Sequence, residues 1–302
     1  LSPQGSIRRA IDWGELAPLR LRARAATEGV FAGMHRSSRR GSGVEFGGHR
    51  EYLPGDDLRW LDRRSLLRHD RLVVRQFETE TERALCLLVD ASASMAFRGP
   101  NAPGAKLAFA SVVAAALARV ALASGDPVSL TFLGGARDLR PVTRAGGREQ
   151  FERVVAALEA ADPGGDARTS GALLDRALQS VASATRRGAV LVLLSDLVDL
   201  PEGAARKIAE LASRGRILVV VQTLDPSESS FPYRGTVRLR ALEGGVVVET
   251  DADATRDRYL SALASLTAEW ERALVGHGGS LVRATTSDAA VKVVRDVVDA
   301  VR

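Results

Sequence analysis

Asp90, Ser92 and Ser94 follow a short apolar run at intervals of two residues. In extended chain, residues two apart point the same way, so these three oxygens can converge on one point. A carboxylate beside uncharged hydroxyls suits a hard cation: Mg²⁺, or Mn²⁺, takes few protein ligands and keeps several waters. Two more oxygens stand elsewhere in the chain. Asp196, in Ser195-Asp196, ends a second strongly apolar run, and Thr169 closes Gly164-Gly165-Asp166-Ala167-Arg168-Thr169, a loop entering a helix. The expected ligands are therefore Asp90, Ser92, Ser94, Thr169 and Asp196, a set without thiolate or imidazole to favour zinc.

Strands must carry these residues to one place. The runs 84–89 and 189–194 are continuously apolar, the pattern of strands buried on both faces. Helical patterns at 106–124, 147–161, 170–187, 202–213, 253–275 and 287–301 alternate with apolar runs at 127–133, 138–143, 216–222 and 280–283. A Pro- and Ser-rich loop is expected at 225–232, and Glu243-Gly244-Gly245 joins a hairpin of 237–242 and 246–249. Such alternation implies an α/β fold: a Rossmann-like, doubly wound, mostly parallel sheet with helices on both faces. Open α/β sheets place their ligands at the carboxyl ends of strands. If 84–89 and 189–194 are neighbours, Asp196 lies about one strand spacing, roughly 5 Å, from the line of Asp90.

Residues 1–80 differ in character. An amphipathic helix is expected at 14–28, with Leu16, Leu19, Ala23 and Ala26 on one face. A Gly- and Arg-rich run fills 33–50, Pro54-Gly55-Asp56-Asp57 is a turn, and 72–77 reads as a strand. The expected division is a small N-terminal segment, 1–80, without a core of its own and docked on an α/β domain at 81–302. Basic charge concentrates in that segment: residues 1–75 hold 15 Arg against 9 Asp or Glu, and the remainder 27 basic against 28 acidic side chains. Lysine is rare, occurring only at 106, 207 and 292.

The order Asp-x-Ser-x-Ser, then a loop Thr, then an Asp after a later strand is similar to the metal-ion-dependent adhesion site of von Willebrand factor A domains. Upstream, Gly43-Val44-Glu45-Phe46, Arg50-Glu51-Tyr52, Pro54-Gly55-Asp56-Asp57-x-Arg59, Asp62 and Phe77-Glu78-x-Glu80 resemble the signature of domain-of-unknown-function family fifty-eight. Members of that family join such a segment to a von Willebrand A domain, and the likeness covers nearly the whole chain. One position departs: Arg63 stands where the family has Trp. The resemblance implies a von Willebrand A-like fold and an ion whose open position is filled by a partner's carboxylate. It also implies association with a MoxR-type AAA+ ATPase acting as a chaperone in complex assembly or metal insertion.

Other signals fall short of chemistry. Gly99-Pro100-Asn101-Ala102-Pro103-Gly104-Ala105-Lys106 misses a phosphate-binding loop by one residue, since Lys there directly follows the second Gly and precedes Ser or Thr. His35, His49, His69 and His277 have neither metal-ligand spacing nor cysteine partners. No Gly-x-Ser-x-Gly element occurs. Cys86 stands alone, so an intrachain disulfide is impossible and a reducing compartment is expected. The N-terminus shows no signal pattern, and Arg119 interrupts the apolar stretch 107–124 where a span would need roughly 20 apolar residues. A cytoplasmic chain without membrane insertion is the expectation.

Three functions stay open. The first is a non-enzymatic, metal-dependent protein-interaction module, an adaptor whose partner the residues define only as acidic. The second is a metal-dependent phosphoester hydrolase, which would need a base beside the ion where only ligands stand. The third is nucleic-acid binding through the Arg-rich residues 20–75, where Phe31, Phe46, Tyr52 and Trp60 offer few stacking platforms. The first is favoured, and nucleic acid is an unlikely partner.

Overall fold

The computed structural model describes residues 11–33, 45–51, 73–78, 83–135, 139–165, 171–198, 200–240, 242 and 247–301. It contains two compact units, Arg36–Glu82 and the rest of the chain. In the smaller unit, β1 (Glu45–Glu51) pairs antiparallel with β2 (Val73–Glu78), Glu45 facing Glu78 and Glu51 facing Val73. The register shifts between Phe46 and Gly48, so Gly47 takes no partner. Glycine weakens a strand interior and marks bulges, which is why β1 reads in the sequence as an irregular Gly- and Arg-rich run. The strand expected at 72–77 is β2.

The larger unit opens with α1 (Leu19–Gly33). A helix was expected from residue 14, but Pro18 lacks the N–H that an interior position needs, and residues Gly14–Leu16 make only a 3-10 turn. There follow β3 (Leu85–Asp90), α2 (Lys106–Ala123), β4 (Val128–Leu133), β5 (Val142–Ala145), α3 (Arg148–Glu159), α4 (Gly171–Ala184), β6 (Val190–Ser195) and α5 (Ala204–Ala209). The chain continues through β7 (Ile217–Leu224), α6 (Pro226–Ser230), β8 (Thr236–Arg240), β9 (Val247–Asp251), α7 (Ala252–Val275), β10 (Ser280–Thr285) and α8 (Ala290–Ala300). The hairpin expected near 237–249 is β8–β9. The segment 225–232, expected as loop, contains α6.

Six strands form one sheet in the order β10-β7-β6-β3-β4-β5. All neighbours are parallel except β4 and β5. Read from β5, the chain order is that of the doubly wound Rossmann sheet, and its direction reverses between β3 and β6, the place where such sheets bind ligands. Both faces are covered. Leu85, Leu87 and Val89 of β3 join Val192, Leu194, Val219 and Val221 in a core shared with α1, α2, α3 and α8. The alternate residues Cys86 and Leu88 join Leu191, Leu193, Leu218 and Val220 against α4, α5 and α7. Period-two alternation with both sets apolar is what makes these strands read as continuous hydrophobic runs.

Helix α2 is buried along Lys106–Ala118 on every side. It is the one helix among the described residues long and apolar enough to cross a membrane by length and composition, and here it lies within the core. Helix α1 packs on α2 and α8 through Leu19, Ala23, Ala26 and Val30, as its apolar spacing predicts. Its outward arginines are engaged: Arg20 pairs with Glu152 at 2.6 Å and Arg24 with Glu28 at 2.6 Å. The residues from 11 to 33 thus share the α/β body, whereas 36–82 form the other unit.

The contact between α1 and α8 depends on a missing side chain. A Cβ at Gly29 would lie 2.6 Å from Val291 Cγ2. Gly29→Ala is therefore expected to destabilise by about 1 kcal/mol, overpacking exceeding the gain in helix propensity. In a Val291→Ala background the same change is expected to stabilise, by up to about 1 kcal/mol. Urea unfolding of the four proteins as a double-mutant cycle checks this. One sign in both backgrounds would mean that the helices do not meet at Gly29.

Candidate metal centre

Strand register places the first carboxylate. Val89 faces Leu194 across the parallel pair β3 and β6, so Asp90 ends its strand level with Ser195, and Asp196 follows one residue on. The sequence-based expectation that these two runs are neighbours holds. Beyond Asp90 the chain stays extended at Ser92 and then enters a 3-10 turn, Ala93–Ala96. Asp90 is 2% exposed, Ser92 1%, Ser94 8% and Asp196 1%. This rim of the sheet is buried although every one of these side chains is polar.

Hydrogen bonds join Asp90, Ser92 and Ser94 into one cluster, with the charge of Asp196 close enough to act on Asp90. Asp90 Oδ1 accepts from Ser92 N at 2.9 Å and Oδ2 from Ser195 Oγ at 2.6 Å. The hydroxyls of Ser92 and Ser94 are 3.1 Å apart. Thr169 lies outside the described residues. The loop leading towards it is held against the same turn: Gly164 N donates to Ala91 O at 2.9 Å and Ala93 N to Gly165 O at 3.4 Å.

Three residues that the sequence reading did not place here complete the cluster. Ser195 holds Asp90 and, through the same oxygen, accepts from Leu197 N at 3.0 Å. Lys106, the first residue of α2 and 1% exposed, donates to Asp196 Oδ2 at 2.7 Å and to Glu228 Oε1 at 2.7 Å. Glu228 is fixed in turn by a capping box at the start of α6, where its Oε2 accepts from Asp225 N at 2.8 Å and Asp225 accepts from Ser227 N. Asp225 also accepts from Gly99 N at 2.8 Å, and a Cβ at Gly99 would lie 2.3 Å from the Asp225 carboxylate. Only glycine lets that loop approach so closely. A signal for α6 was present in the sequence, since Asp225-Pro226-Ser227-Glu228 is a capping box with Pro at the first helical position.

The electrostatics are uneven. Burial and the neighbouring charge of Asp196 push the Asp90 carboxyl up to about 6, against the Ser195 and Ser92 hydrogen bonds. Burial disfavours charge on Asp196 too, but the Lys106 ammonium outweighs it and holds the carboxyl below its ordinary value. Lys106 itself is desolvated, yet its two carboxylates keep it above the usual ammonium range. Among the described residues, no basic side chain forms an ion pair with Asp90.

This arrangement fits a hard divalent cation. Among the described residues no group of three or more His, Cys, Asp or Glu converges as a metal cluster, so any ion here must rely on hydroxyl oxygens, as Mg²⁺ and Mn²⁺ do. The one ammonium pairs with Asp196 and Glu228, and Asp90 is a third carboxylate bonded to neutral donors. A doubly charged ion beside Asp90 would bring the group to neutrality. Asp90, Ser92, Ser94 and Asp196 are the described residues that could hold it.

A family model, "Protein of unknown function DUF58", matches residues 48–269. The chain belongs to the DUF58 family. Uncharacterized protein Rv1480 of Mycobacterium tuberculosis is 31% identical over 293 residues, covering 94% of this DUF58 chain and 89% of its own. Among solved structures, BatB from Bacteroides thetaiotaomicron is similar at 16% identity and TM-score 0.48, over 72% of this chain and 98% of that one. An aerotolerance-related membrane protein from Bacteroides fragilis is similar at 17% and 0.46, with the same shares. A von Willebrand factor type A protein from Catenulispora acidiphila is similar at 15% and 0.32, over 67% and 44%.

One expectation is corrected. The cytoplasmic assignment drawn from the missing signal pattern and the interrupted apolar stretch does not stand, because neither absence locates a chain; the similar structures include an aerotolerance-related membrane protein. A buried core helix and an N-terminus without a leader pattern do not locate a DUF58 chain.

Ser195 provides the test of this geometry. Ser195→Ala removes the hydroxyl donor from buried Asp90 and the acceptor from Leu197 N, and an unsatisfied buried group costs about 1–3 kcal/mol. Urea unfolding followed by circular dichroism is expected to show a loss in that range. A change under about 0.5 kcal/mol, the size of an ordinary surface substitution, would mean that Ser195 does not hold Asp90.

Proposed function

We propose that this DUF58 protein is a non-enzymatic protein-interaction module in which Mg²⁺ or Mn²⁺, held by Asp90, Ser92, Ser94, Thr169 and Asp196, receives a carboxylate from a partner protein. The observation that carries the reading is Asp90: a buried carboxylate at the switch point of the sheet, bonded to the neutral donors Ser92 N and Ser195 Oγ and followed by the paired hydroxyls of Ser92 and Ser94. When bound, the ion supplies an electrophilic position that draws in an anionic oxygen. The protein's own part is to hold the donors still. Ser92 N and Ser195 Oγ fix the Asp90 carboxylate, and the ties from Gly164 and Gly165 fix the backbone around Ala91 and Ala93. Burial strengthens each charge interaction by excluding water.

The finer identity of the partner rests on the family resemblance in the sequence, which points to a MoxR-type AAA+ ATPase and to an adaptor in chaperone-like assembly of protein complexes. A hydrolase would need a free base beside the ion. Among the described residues, the titratable groups around Asp90 are themselves proposed ligands or, like Lys106 and Glu228, are bound to each other.

Calorimetric titration is expected to show Mg²⁺ or Mn²⁺ binding to the wild type, and none to Asp90→Ala with its circular dichroism unchanged. Unaltered affinity in the variant would refute the assignment. In pull-downs from the native cell, the ATPase is expected to be recovered and then lost on chelation. Ser94→Ala is expected to weaken the complex about thirtyfold, the equivalent of about 2 kcal/mol for a desolvated anchor. Equal recovery under all conditions would place the partner on another surface.

A further inference from the structure

We propose that Lys106 is a resident cation that withholds Asp196 from the metal, leaving Asp90 as the one carboxylate in direct contact with it. The inference rests on the cation reading above and revises one of its five ligands: Asp196 stays beside the site but is kept from direct contact with the ion by Lys106.

The two aspartates are used differently. Asp196 Oδ2 takes the Lys106 ammonium at 2.7 Å and Oδ1 takes Val198 N at 3.1 Å. Asp90 accepts from a backbone N–H and a hydroxyl, both uncharged donors. Two donors fill half of a carboxylate's roughly four lone-pair positions in each case, so what sets Asp196 apart is that one of its donors is an ammonium. Nor can the ammonium withdraw. Lys106 is 1% exposed, its backbone N–H donates to Phe97 O at 3.1 Å, and Nζ also donates to Glu228 at 2.7 Å. Glu228 is immobilised by the capping box of α6. An ion seated directly on Asp196 would stand next to a fixed positive charge in a water-poor interior, where repulsion is weakly screened. On the Asp90 side no basic group among the described residues forms an ion pair. A metal held by a single carboxylate remains short of negative charge, and its demand for an external carboxylate rises accordingly.

Mn²⁺ binding, read from the resonance of the free ion, tests the proposal with near-isosteric variants whose fold is checked by circular dichroism. Asp90→Asn is expected to weaken binding more than about a hundredfold, as loss of the direct anionic ligand. Asp196→Asn and Glu228→Gln each remove one charge beyond the direct contact, and are expected to weaken it alike and by less than about tenfold. The decisive comparison is Lys106→Met combined with Glu228→Gln, which keeps the wild-type net charge while releasing Asp196. It is expected to bind Mn²⁺ about tenfold more tightly, since affinity follows the number of charged ligands. A double variant that folds and binds no more tightly than wild type would reduce Lys106 to a net-charge effect and overturn the proposal. Damage by Asp196→Asn equal to that by Asp90→Asn would overturn it independently, whether or not the double variant folds. Absence of Mn²⁺ binding by the wild type would overturn both the proposal and the reading beneath it.

Discussion

A carboxylate taken out of water keeps its charge only where something nearby compensates it, and Asp90 ends a central strand at 2% exposure with neutral donors alone. The packing around it follows from that constraint. Ser195 reaches across from β6 to hold one oxygen, and Ser92 N turns back to hold the other. Asp196, one residue further on, would double the local negative charge, and Lys106 offsets it. Lys106 in turn needs Glu228, Glu228 needs the capping box of α6, and the same box holds the loop at Gly99 through Asp225. Three strand ends and the start of the central helix are thus tied together by one charge problem.

The identity of the cation at position 106 matters. The chain uses arginine almost everywhere, with lysine at only three positions. An ammonium is compact, carries three donors and rides on a flexible stem, so it can bridge two carboxylates that approach from different elements; a planar guanidinium asks for a carboxylate in its own plane. Such a buried ion pair is a weak source of stability, because desolvating the charges offsets most of their attraction. Stability here comes from the two apolar layers on either side of the sheet. The ion cluster needs another reason to exist, and control over how the neighbouring aspartates bind is one that its geometry supplies.

The sheet was legible because its strands are covered on both faces. Runs such as 84–89 and 189–194 have no polar alternation to hide them, and the Asp-x-Ser-x-Ser spacing together with the position of Asp196 followed from where those runs stop. What stayed illegible depended on long-range contacts or on competing local signals. Lys106 stands at the head of an apolar helix in the guise of a failed phosphate loop, and its partners are 90 and 122 residues away. The capping box at Asp225-Pro226-Ser227-Glu228 was visible in principle, but Pro and Ser suggest a loop as readily as a helix start. Strand β1 was masked by its glycines, whose unpaired Gly47 makes sense only once β2 is alongside. The helix expected from residue 14 begins at Leu19 because apolar spacing says nothing of the missing N–H of Pro18.

Local conformational rules are broken close to the same spot. Leu197, directly after Asp196, adopts φ of +66°, a left-handed conformation that costs a non-glycine residue about 1–2 kcal/mol. Its side chain is 1% exposed in the core beneath α4 and α5, its N–H is held by Ser195 Oγ, and the next N–H is held by Asp196 Oδ1. The strained turn and the two hydrogen bonds support each other. The turn lets Leu197 bury its side chain on one face of the sheet while Asp196 stays turned towards Lys106, which heads the helix on the other. A glycine would adopt the angle freely but would give up that burial, and an unstrained residue would rotate the carboxylate away. Backbone strain, an uncompensated carboxylate and a buried lysine therefore share one rim of an otherwise regular sheet. That concentration of locally unfavourable features is what separates a working site from a strand end that merely closes a fold.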